Sequence, residues 1–386
     1  MDLKLDQWAT TPPAGYPGTI SPPPAKRIAG WANGEEPPAG YFNHAFSALA
    51  DTQNELANLI AGAGLTRSAS DLTQALQAVQ TMLGRAQLKT ALSTVRMIYD
   101  TQIGPKTLMA LAREPVYGEL VVVGTSAAIL NNGGSASGFS SQVAASPFTG
   151  TFRDVTYDAT LGLFIAVGDT GEIQTSPPSI PTVWTRRASG GGNFYKIATN
   201  GLGLCVAVGQ SGLIKYSTNG TSWTSATSPF TGDIKAIEFG GGLFVFGTTD
   251  GDIASSPSGS AWTARRTLGG ASDIGCLVFH SALGFLYSYG ADQDVFRSVD
   301  GITWTKIHNT LPVQGLLASP HGWVTYRAGT GQYYTSAEAR YSTTAVDQPA
   351  DVKIDYVADA RLTWMKFIDG QLWALAGSRI YLGGVL

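Results

Sequence analysis

Apolar and polar residues alternate along most of the chain in short bursts that end in glycine. Each burst is followed by a small polar turn and a second alternating run, a pattern that predicts strand, turn, strand. The clear copies end at Gly168, Gly209, Gly247 and Gly290, and weaker copies end at Gly124, Gly329 and Gly377. The sequence therefore contains seven copies of one β-unit.

A turn followed by tryptophan recurs within these units. Its three clear copies are S-T-N-G-T-S-W ending at Trp223, S-P-S-G-S-A-W ending at Trp262 and S-V-D-G-I-T-W ending at Trp304, and a degenerate copy ends at Trp184. The tryptophans are 39, 39 and 42 residues apart, close to the roughly 40 to 45 residues of one four-stranded propeller blade. We therefore predict a mainly β fold with a seven-bladed β-propeller over residues 94–386.

The last unit is short of one strand. It offers three strand patterns over 362–367, 371–376 and 379–381 and then reaches Leu386. Residues 94–103 alternate in the same way. We expect this upstream segment to supply the missing outer strand and so to join the two ends of the ring.

The turn phrase has a direct physical interpretation. Asn219 and Asp300 precede glycine, where a short polar side chain can bond the loop's own N–H groups and glycine supplies positive φ. The tryptophans are expected to cover the gap between blades. The phrase resembles the Asp-box of sialidase-like propellers, which implies a structural role. The predicted structural residues are Trp184, Asn219, Trp223, Trp262, Asp300 and Trp304.

The first hundred residues follow other patterns. Residues 1–41 are rich in proline and glycine and are expected to form an extended arm. Residues 42–93 carry two heptad-spaced apolar series, which predict short coiled-coil-type α-helices. The seam positions are Phe42, Phe46, Leu49, Gln53, Leu56, Ile60, Leu72, Leu76, Val79 and Leu83. Their partner is either another subunit, which gives oligomerisation, or the other helix of the same chain.

A family resemblance covers residues 6 to about 61. The stretch A-K-R-I-A-G-W-A-N-G-E-E-P-P-A-G-Y-F-N from Ala25 to Asn43, followed by F-S-A-L-A-D-T-Q-N-E-L, resembles the N-terminal region of bacteriophage tail fibre and tail appendage proteins. The resemblance implies a homotrimeric virion protein made in the host cytoplasm. Residues 1–41 would dock on other tail proteins, and the C-terminal domain would face the host.

Composition narrows the function classes. Charged residues are 14% of the chain and the formal net charge is −3. The composition therefore shows no excess of basic residues that would indicate a nucleic-acid partner. The start M-D-L-K-L-D lacks the apolar region of a secretion signal, and no apolar run is long enough to predict a membrane span. Cys205 and Cys276 fall within apolar patterns and are interpreted as small buried residues without a disulfide.

No residue pattern predicts catalysis. The four histidines lack metal-ligand spacing, so neither a metal nor a cofactor is expected. A glycosidase needs two placed carboxylates, and the candidates are Asp154, Asp158, Asp233 and Asp273. Three of them, Asp154, Asp233 and Asp273, stand near the starts of successive repeats, which favours a structural role for them over unique chemistry. We therefore expect a protein that is not an enzyme.

Three function classes follow from these patterns. The preferred one is a host-adsorption module that binds a surface glycan or protein. The alternatives are a purely structural tail component or fibre platform, and a sialidase-like or polysaccharide-depolymerising enzyme. The residues predicted as a receptor contact are Trp323, Tyr326, Tyr333 and Tyr334, for which blade packing is the alternative interpretation.

Overall fold

A computed structural model of the protein describes much of the region that the sequence assigns to the propeller. The described residues are 96–100, 106–133, 139–142, 144, 148–178, 183–267, 273–281, 283–289, 294–308, 315–319, 322–327, 338–342, 350–353, 362–369 and 371–385. The predicted arm over 1–41 and the ten predicted oligomerisation residues between Phe42 and Leu83 lie outside them, so these predictions stay predictions.

The described strands form seven four-stranded antiparallel sheets. In chain order they are β1 Arg96–Asp100; β2 Leu108–Arg113, β3 Leu120–Gly124, β4 Ile129–Asn131 and β5 Ser140–Gln142; β6 Phe152–Asp158, β7 Leu163–Gly168, β8 Ile173–Ser176 and β9 Thr185–Ala188; β10 Phe194–Thr199, β11 Cys205–Gly209, β12 Ile214–Ser217 and β13 Thr224–Ala226; β14 Ile234–Gly240, β15 Leu243–Thr248, β16 Ile253–Ser256 and β17 Thr263–Arg266; β18 Cys276–His280, β19 Gly284–Tyr289, β20 Asp294–Ser298 and β21 Thr305–His308; β22 Gly315–Ser319, β23 Gly322–Arg327, β24 Glu338–Ser342 and β25 Ala350–Lys353; and β26 Leu362–Ile368, β27 Gln371–Ala376 and β28 Arg379–Val385.

The sheets are arranged as a propeller. The first strand of each sheet contacts the first strand of the next, from β2 through β6, β10, β14, β18 and β22 to β26, and β26 contacts β2 again. These innermost strands therefore close a ring. Turns between the first and second and between the third and fourth strands lie on one face, and the remaining connections lie on the other.

The predicted count of seven blades needs correction. Only six sheets are self-contained blades of four consecutive strands, from β2–β5 to β22–β25. Among the described residues, the last repeat supplies β26, β27 and β28. Its sheet is composite, with the order β1-β28-β27-β26. The expected origin of the fourth strand is confirmed, since β1 lies within 94–103 and pairs with β28.

Burial follows from the packing of each sheet between two others. The second strands β3 and β11 are buried along their whole length, and a strand covered on both faces is apolar at consecutive positions. The clusters span neighbouring sheets. Val206 of β11 belongs to the same cluster as Phe244 and Phe246 of β15, so the core consists of layers between blades.

The blade tryptophans pack between neighbouring blades. Each joins a hydrophobic cluster shared by its own blade and the preceding one: Trp184 packs with Val121 and Phe164, Trp223 with Ile165 and Cys205, Trp262 with Val206 and Phe246, and Trp304 with Val245 and Tyr287. The indole N–H of Trp262 also donates to Gly259 O at 2.9 Å. The turn thus ties the third and fourth strands of a blade to its neighbour.

Hydrogen bonds hold the turns as the sequence predicts. Asn219 Oδ1 accepts the backbone N–H groups two and three residues further on, both at 2.9 Å. Asp300 Oδ1 makes the same two contacts at the same distance. The glycines that follow, Gly220 and Gly301, both have a φ of +70°. An amide and a carboxylate therefore perform the same structural task in two blades.

The described part of the chain contains no α-helix, and its helical residues are two single 3₁₀ turns, Asp169–Gly171 and Gln210–Gly212. Within it, no helix is long and apolar enough to cross a membrane. The chain divides into two compact units, Met1–Met82 and Leu83–Leu386, and the described residues all belong to the second.

Candidate functional site

Two of the four predicted receptor-contact residues lie on a described strand. Trp323 and Tyr326 lie on β23, where their backbones pair with Ala318 and Gly315 of β22. Tyr333 and Tyr334 lie outside the described residues. Whether these aromatic side chains share a surface therefore stays a prediction.

A recurrent β-bulge marks another location. In five sheets the pairing of the innermost strand with its neighbour skips one residue near the strand's start. The skipped residues are Met109, Arg153, Tyr195, Lys235 and Thr363. A bulge leaves its extra residue outside the ladder and redirects that side chain. Because the innermost strands form the central ring, the bulges place these residues around one mouth of the propeller.

Three successive blades fill this position with a basic and aromatic set, Arg153, Tyr195 and Lys235, called here the mouth cluster. Lys235 Nζ lies 3.3 Å from the centroid of the Tyr195 ring. Arg153 Cζ lies 5.3 Å from the same centroid. Cations at these distances are attracted by the negative face of an aromatic ring. One tyrosine therefore brings together two cationic side chains from different blades.

Asp169 holds the arginine of the mouth cluster. Its Oδ1 accepts a hydrogen bond from Arg153 Nε at 2.6 Å, and its Oδ2 accepts the Thr151 N–H at 3.1 Å. Asp169 begins the 3₁₀ turn between β7 and β8. The guanidinium is bound through Nε alone, and its two terminal nitrogens have no partner among the described residues.

Asp233 holds the other two members. Its Oδ2 accepts from Tyr195 Oη at 3.1 Å and lies 3.1 Å from Lys235 Nζ. Its Oδ1 accepts the Ser211 N–H at 2.9 Å. Partial burial acts to raise the pKa of the Asp233 carboxyl, but these hydrogen bonds and the lysine charge outweigh it and lower the pKa. Asp233 is therefore ionised throughout the neutral range.

The same contact shows that Asp233 also links two blades. Ser211 lies in the turn between β11 and β12 with a φ of +53°, and its N–H donates to the carboxylate of the next blade. In the preceding blade Thr170, with a φ of +57°, donates its N–H to Asn193 Oδ1 at 2.9 Å. Asn193 and Asp233 thus occupy equivalent positions, and only the second adds a charge.

The carboxylates considered for catalysis have separate roles. Asp154 lies one residue after the bulge and accepts the Ile197 N–H at 3.1 Å, whereas Asp233 precedes its strand. The expectation that Asp154 and Asp233 occupy one repeated position is therefore wrong. Asp158 is fully buried and accepts bonds from the Leu161 and Gly203 N–H groups and from the Thr199 hydroxyl. It connects two blades.

Neither cysteine belongs to the mouth cluster. Both cysteines are free, and burial raises the pKa of Cys205 to about 12, so its thiol stays protonated and unreactive. Cys205 is buried as predicted, whereas Cys276 is only partly buried. Among the described residues, no three histidine, cysteine, aspartate or glutamate side chains are placed to hold a metal ion.

The chemistry left available at the mouth is hydrogen-bond donation. Both oxygens of Asp169 and of Asp233 are bonded to protein groups. The terminal nitrogens of Arg153 have no hydrogen-bond acceptor among the described residues. Lys235 is paired with Asp233, and its charge also acts on the carboxyl of Asp273. The side chains of Arg153 and Lys235 are about one third exposed, at 32% and 30%. This arrangement suits a ligand that brings acceptor oxygens.

Sequence reasoning missed the mouth cluster although a signal was present. A four-residue phrase precedes and includes each member: G-T-F-R ending at Arg153, G-N-F-Y ending at Tyr195 and G-D-I-K ending at Lys235. The phrase repeats at blade spacing while its last letter changes. The same bulge recurs in these three blades while the residue at the bulge changes. Such variation at a repeated position indicates a binding site rather than a structural repeat.

Comparison with protein families gives one match. The family model of the DUF6242 beta propeller domain matches residues 230–354. The matched stretch runs from just before β14 to just after β25 and includes Lys235 of the mouth cluster. It covers less than half of the chain, so it supports the propeller and leaves the origin of the N-terminal region open. No curated protein matches the sequence.

Solved structures resemble the chain in fold. "YCF48 bound to D1 peptide" is 14% identical, with a TM-score of 0.57, and the match covers 76% of this chain and 96% of that one. YCF48 from Cyanidioschyzon merolae is 13% identical with a TM-score of 0.58, covering 75% and 98%. The RRP9 WD40 repeats are 9% identical with a TM-score of 0.59, covering 77% and 99%. At these identities the likeness concerns the fold alone, and the described part of this chain is similar to known β-propellers.

Proposed function

We propose that this protein is a phage tail fibre or appendage subunit that docks on the virion through its N-terminal region and presents the propeller for host adsorption. The sequence resemblance of residues 6–61 supports the virion setting. The mouth cluster carries the binding proposal, because it gathers Arg153, Tyr195 and Lys235 from three blades and leaves the terminal nitrogens of Arg153 without an acceptor among the described residues.

The role proposed for the mouth cluster is recognition without bond cleavage. The two neighbouring carboxylates, Asp169 and Asp233, are hydrogen-bonded to residues of the cluster and are not placed to act on a substrate. A shallow contact of this kind is weak by itself. Three propellers on one trimer would raise the overall avidity by about 10² to 10⁴ without new contacts, so a deep pocket is unnecessary for adsorption.

Cell retention tests the proposal. The full chain, labelled with a fluorophore, is incubated with a panel of bacterial strains that differ in surface polysaccharide, and bound label and released reducing ends are both measured. We expect retention on a subset of strains without any release of reducing ends. Replacing Arg153 and Lys235 together by glutamine should reduce retention, while the control Lys306→Gln, on the outermost strand β21, should not.

Each alternative function gives a different result in the same assay. Progressive release of reducing ends would assign the protein to the depolymerising enzymes. Absence of retention on every strain would favour a structural tail component. Retention that is unchanged in the Arg153 and Lys235 variant would move the contact to another surface, with β23 the first candidate.

A further inference from the structure

We propose that the mouth cluster recognises an acidic polysaccharide, with the carboxylate of a uronic-acid-type sugar bound by the terminal nitrogens of Arg153 and by Lys235. This inference rests on the proposed adsorption function and names the ligand class for it. It follows from which donors are free, how the cations are held and what surrounds them.

The arginine is presented in a geometry that suits a carboxylate. Asp169 accepts a hydrogen bond from Arg153 Nε at 2.6 Å, and Asp169 is itself held by a hydrogen bond from the Thr151 N–H. The guanidinium is thereby oriented, and its two terminal nitrogens remain for a second acceptor. A planar pair of N–H donors matches the two oxygens of a carboxylate, and such charge-assisted pairs are stronger than neutral hydrogen bonds.

The lysine is fixed by similar means. Lys235 Nζ contacts both the Tyr195 ring, at 3.3 Å, and Asp233 Oδ2, at 3.1 Å. Tyr195 is bonded in turn to Asp233 through its hydroxyl. Because these side chains are already ordered, less conformational entropy is lost when a ligand binds. Arg153 and Lys235 both approach the Tyr195 ring, so the cluster offers two cationic groups in neighbouring positions.

The surroundings of the cluster favour a polysaccharide over a peptide. The exposed neighbours on this face are polar: hydroxyl and amide side chains from Thr170, Gln210 and Ser211, and the carboxylates of Asp250 and Asp273. The exposed large apolar side chains of the described residues all belong to turns of the opposite face: Val116, Tyr117, Val183, Leu202, Val299 and Ile302. Protein and peptide partners usually bind through apolar or aromatic anchors in a desolvated centre, and the mouth cluster offers no such centre.

Calorimetric titration of the full chain with oligogalacturonate tests this inference, with maltohexaose as the neutral comparison. We expect oligogalacturonate to bind and maltohexaose to bind at least about tenfold more weakly. Arg153→Gln should weaken oligogalacturonate binding by about 10- to 100-fold, the range of one charge-assisted hydrogen-bonded contact. Lys306→Gln, which removes the same charge elsewhere, should leave it unchanged.

A second experiment uses a variant, Asp233→Asn, that should bind oligogalacturonate more tightly than the native chain. Asp233→Asn keeps an acceptor for the Ser211 N–H, as Asn193 does for Thr170 in the preceding blade, and removes one negative charge beside Lys235. We expect this variant to retain the circular dichroism spectrum of the native chain. It should bind oligogalacturonate more tightly, with no change for maltohexaose.

Failure of this inference is distinguishable from failure of the adsorption function. Equal binding of the acidic and neutral sugars, or oligogalacturonate binding that is unaffected by both variants, would overturn the ligand class while cell retention stands. Equally strong binding of polyglutamate would also overturn it, because a peptide would then satisfy the cluster. Loss of cell retention by the native chain would instead reject the adsorption function itself.

Discussion

At the scale of single residues, the turn glycines show how closely the blades pack. Gly259 has a φ of +69°, and a Cβ there would lie 2.5 Å from Val206 Cγ2 of the preceding blade. Gly242 has a φ of +82° with nothing within 4 Å of a Cβ. Gly242→Ala should therefore lower the free energy of unfolding by about 1–2 kcal/mol through backbone strain alone. Gly259→Ala should add about 1–3 kcal/mol from overpacking.

Urea denaturation of the two alanine variants separates these effects. We expect Gly259→Ala to lose more free energy of unfolding than Gly242→Ala. Equal losses would mean that the blades do not approach each other at the turn as closely as described.

Asp300 makes turn stability depend on pH. Hydrogen bonds from the Thr303 and Ile302 N–H groups lower the pKa of its carboxyl below the usual 3.8. A carboxyl with a lowered folded-state pKa stabilises the fold above its unfolded pKa and loses that contribution as the pH falls through the folded value. The blade should therefore lose stability on acidification below about pH 4.

The variant Asp300→Asn tests this titration, because Asn219 shows that an amide makes the same turn contacts. Its melting temperature should match that of the native chain near pH 7 and should vary less between pH 5 and pH 3. Asp300→Ala should be less stable at every pH. A native-like acid response in Asp300→Asn would assign the pH dependence to other carboxylates.

At the scale of elements, β1 closes the ring by pairing Arg96 with Leu382 and Met97 with Tyr381 of β28. Without β1, the backbone groups of β28 would form an exposed sheet edge, which is prone to pairing with other chains. A truncated chain that starts at Ile103 should melt at a lower temperature and self-associate with rising concentration. One that starts at Thr94 should do neither.

Scanning fluorimetry and size-exclusion chromatography of this matched pair give the answer. The two chains differ only in nine residues, and both lack the arm and the predicted helices. Equal melting temperatures and equal elution at all concentrations would show that β1 contributes nothing to closure.

The sequence predicts some of these elements well and others poorly, for physical reasons. The strands, the tryptophan turns and the donor segment for the last sheet are recognisable because alternation, glycine and tryptophan recur at a fixed period. The predicted count of seven blades is corrected to six self-contained ones, because the last repeat supplies only three strands and its sheet is completed by β1. The mouth cluster depends on a bulge, which shifts the pairing by one residue and leaves no change in hydrophobic pattern. From sequence alone, Arg153 and Lys235 therefore cannot be distinguished from ordinary charged surface residues, because the strand pairing that exposes the bulge is not known.

At the scale of the whole molecule, the account predicts that oligomerisation resides upstream of residue 93. The heptad positions from Phe42 to Leu83 are expected to form the subunit contact, while the propeller contributes none. By light scattering the full chain should be trimeric, and a chain that starts at Val95 should be a monomer with unchanged β-structure. A trimeric truncated chain would place the contact on the propeller, and a monomeric full chain would favour the intrachain helix hairpin.

The central claim is that the mouth of the propeller binds the host surface. Hydrogen exchange of the full chain, with and without surface polysaccharide extracted from a strain that retains it, measures this contact directly. The account predicts slowed exchange in three segments at equivalent positions of successive blades, 151–154, 193–196 and 233–236, around Arg153, Tyr195 and Lys235. Slowed exchange confined to 322–334, or to the turns that carry Leu202 and Val299 on the opposite face, would contradict it.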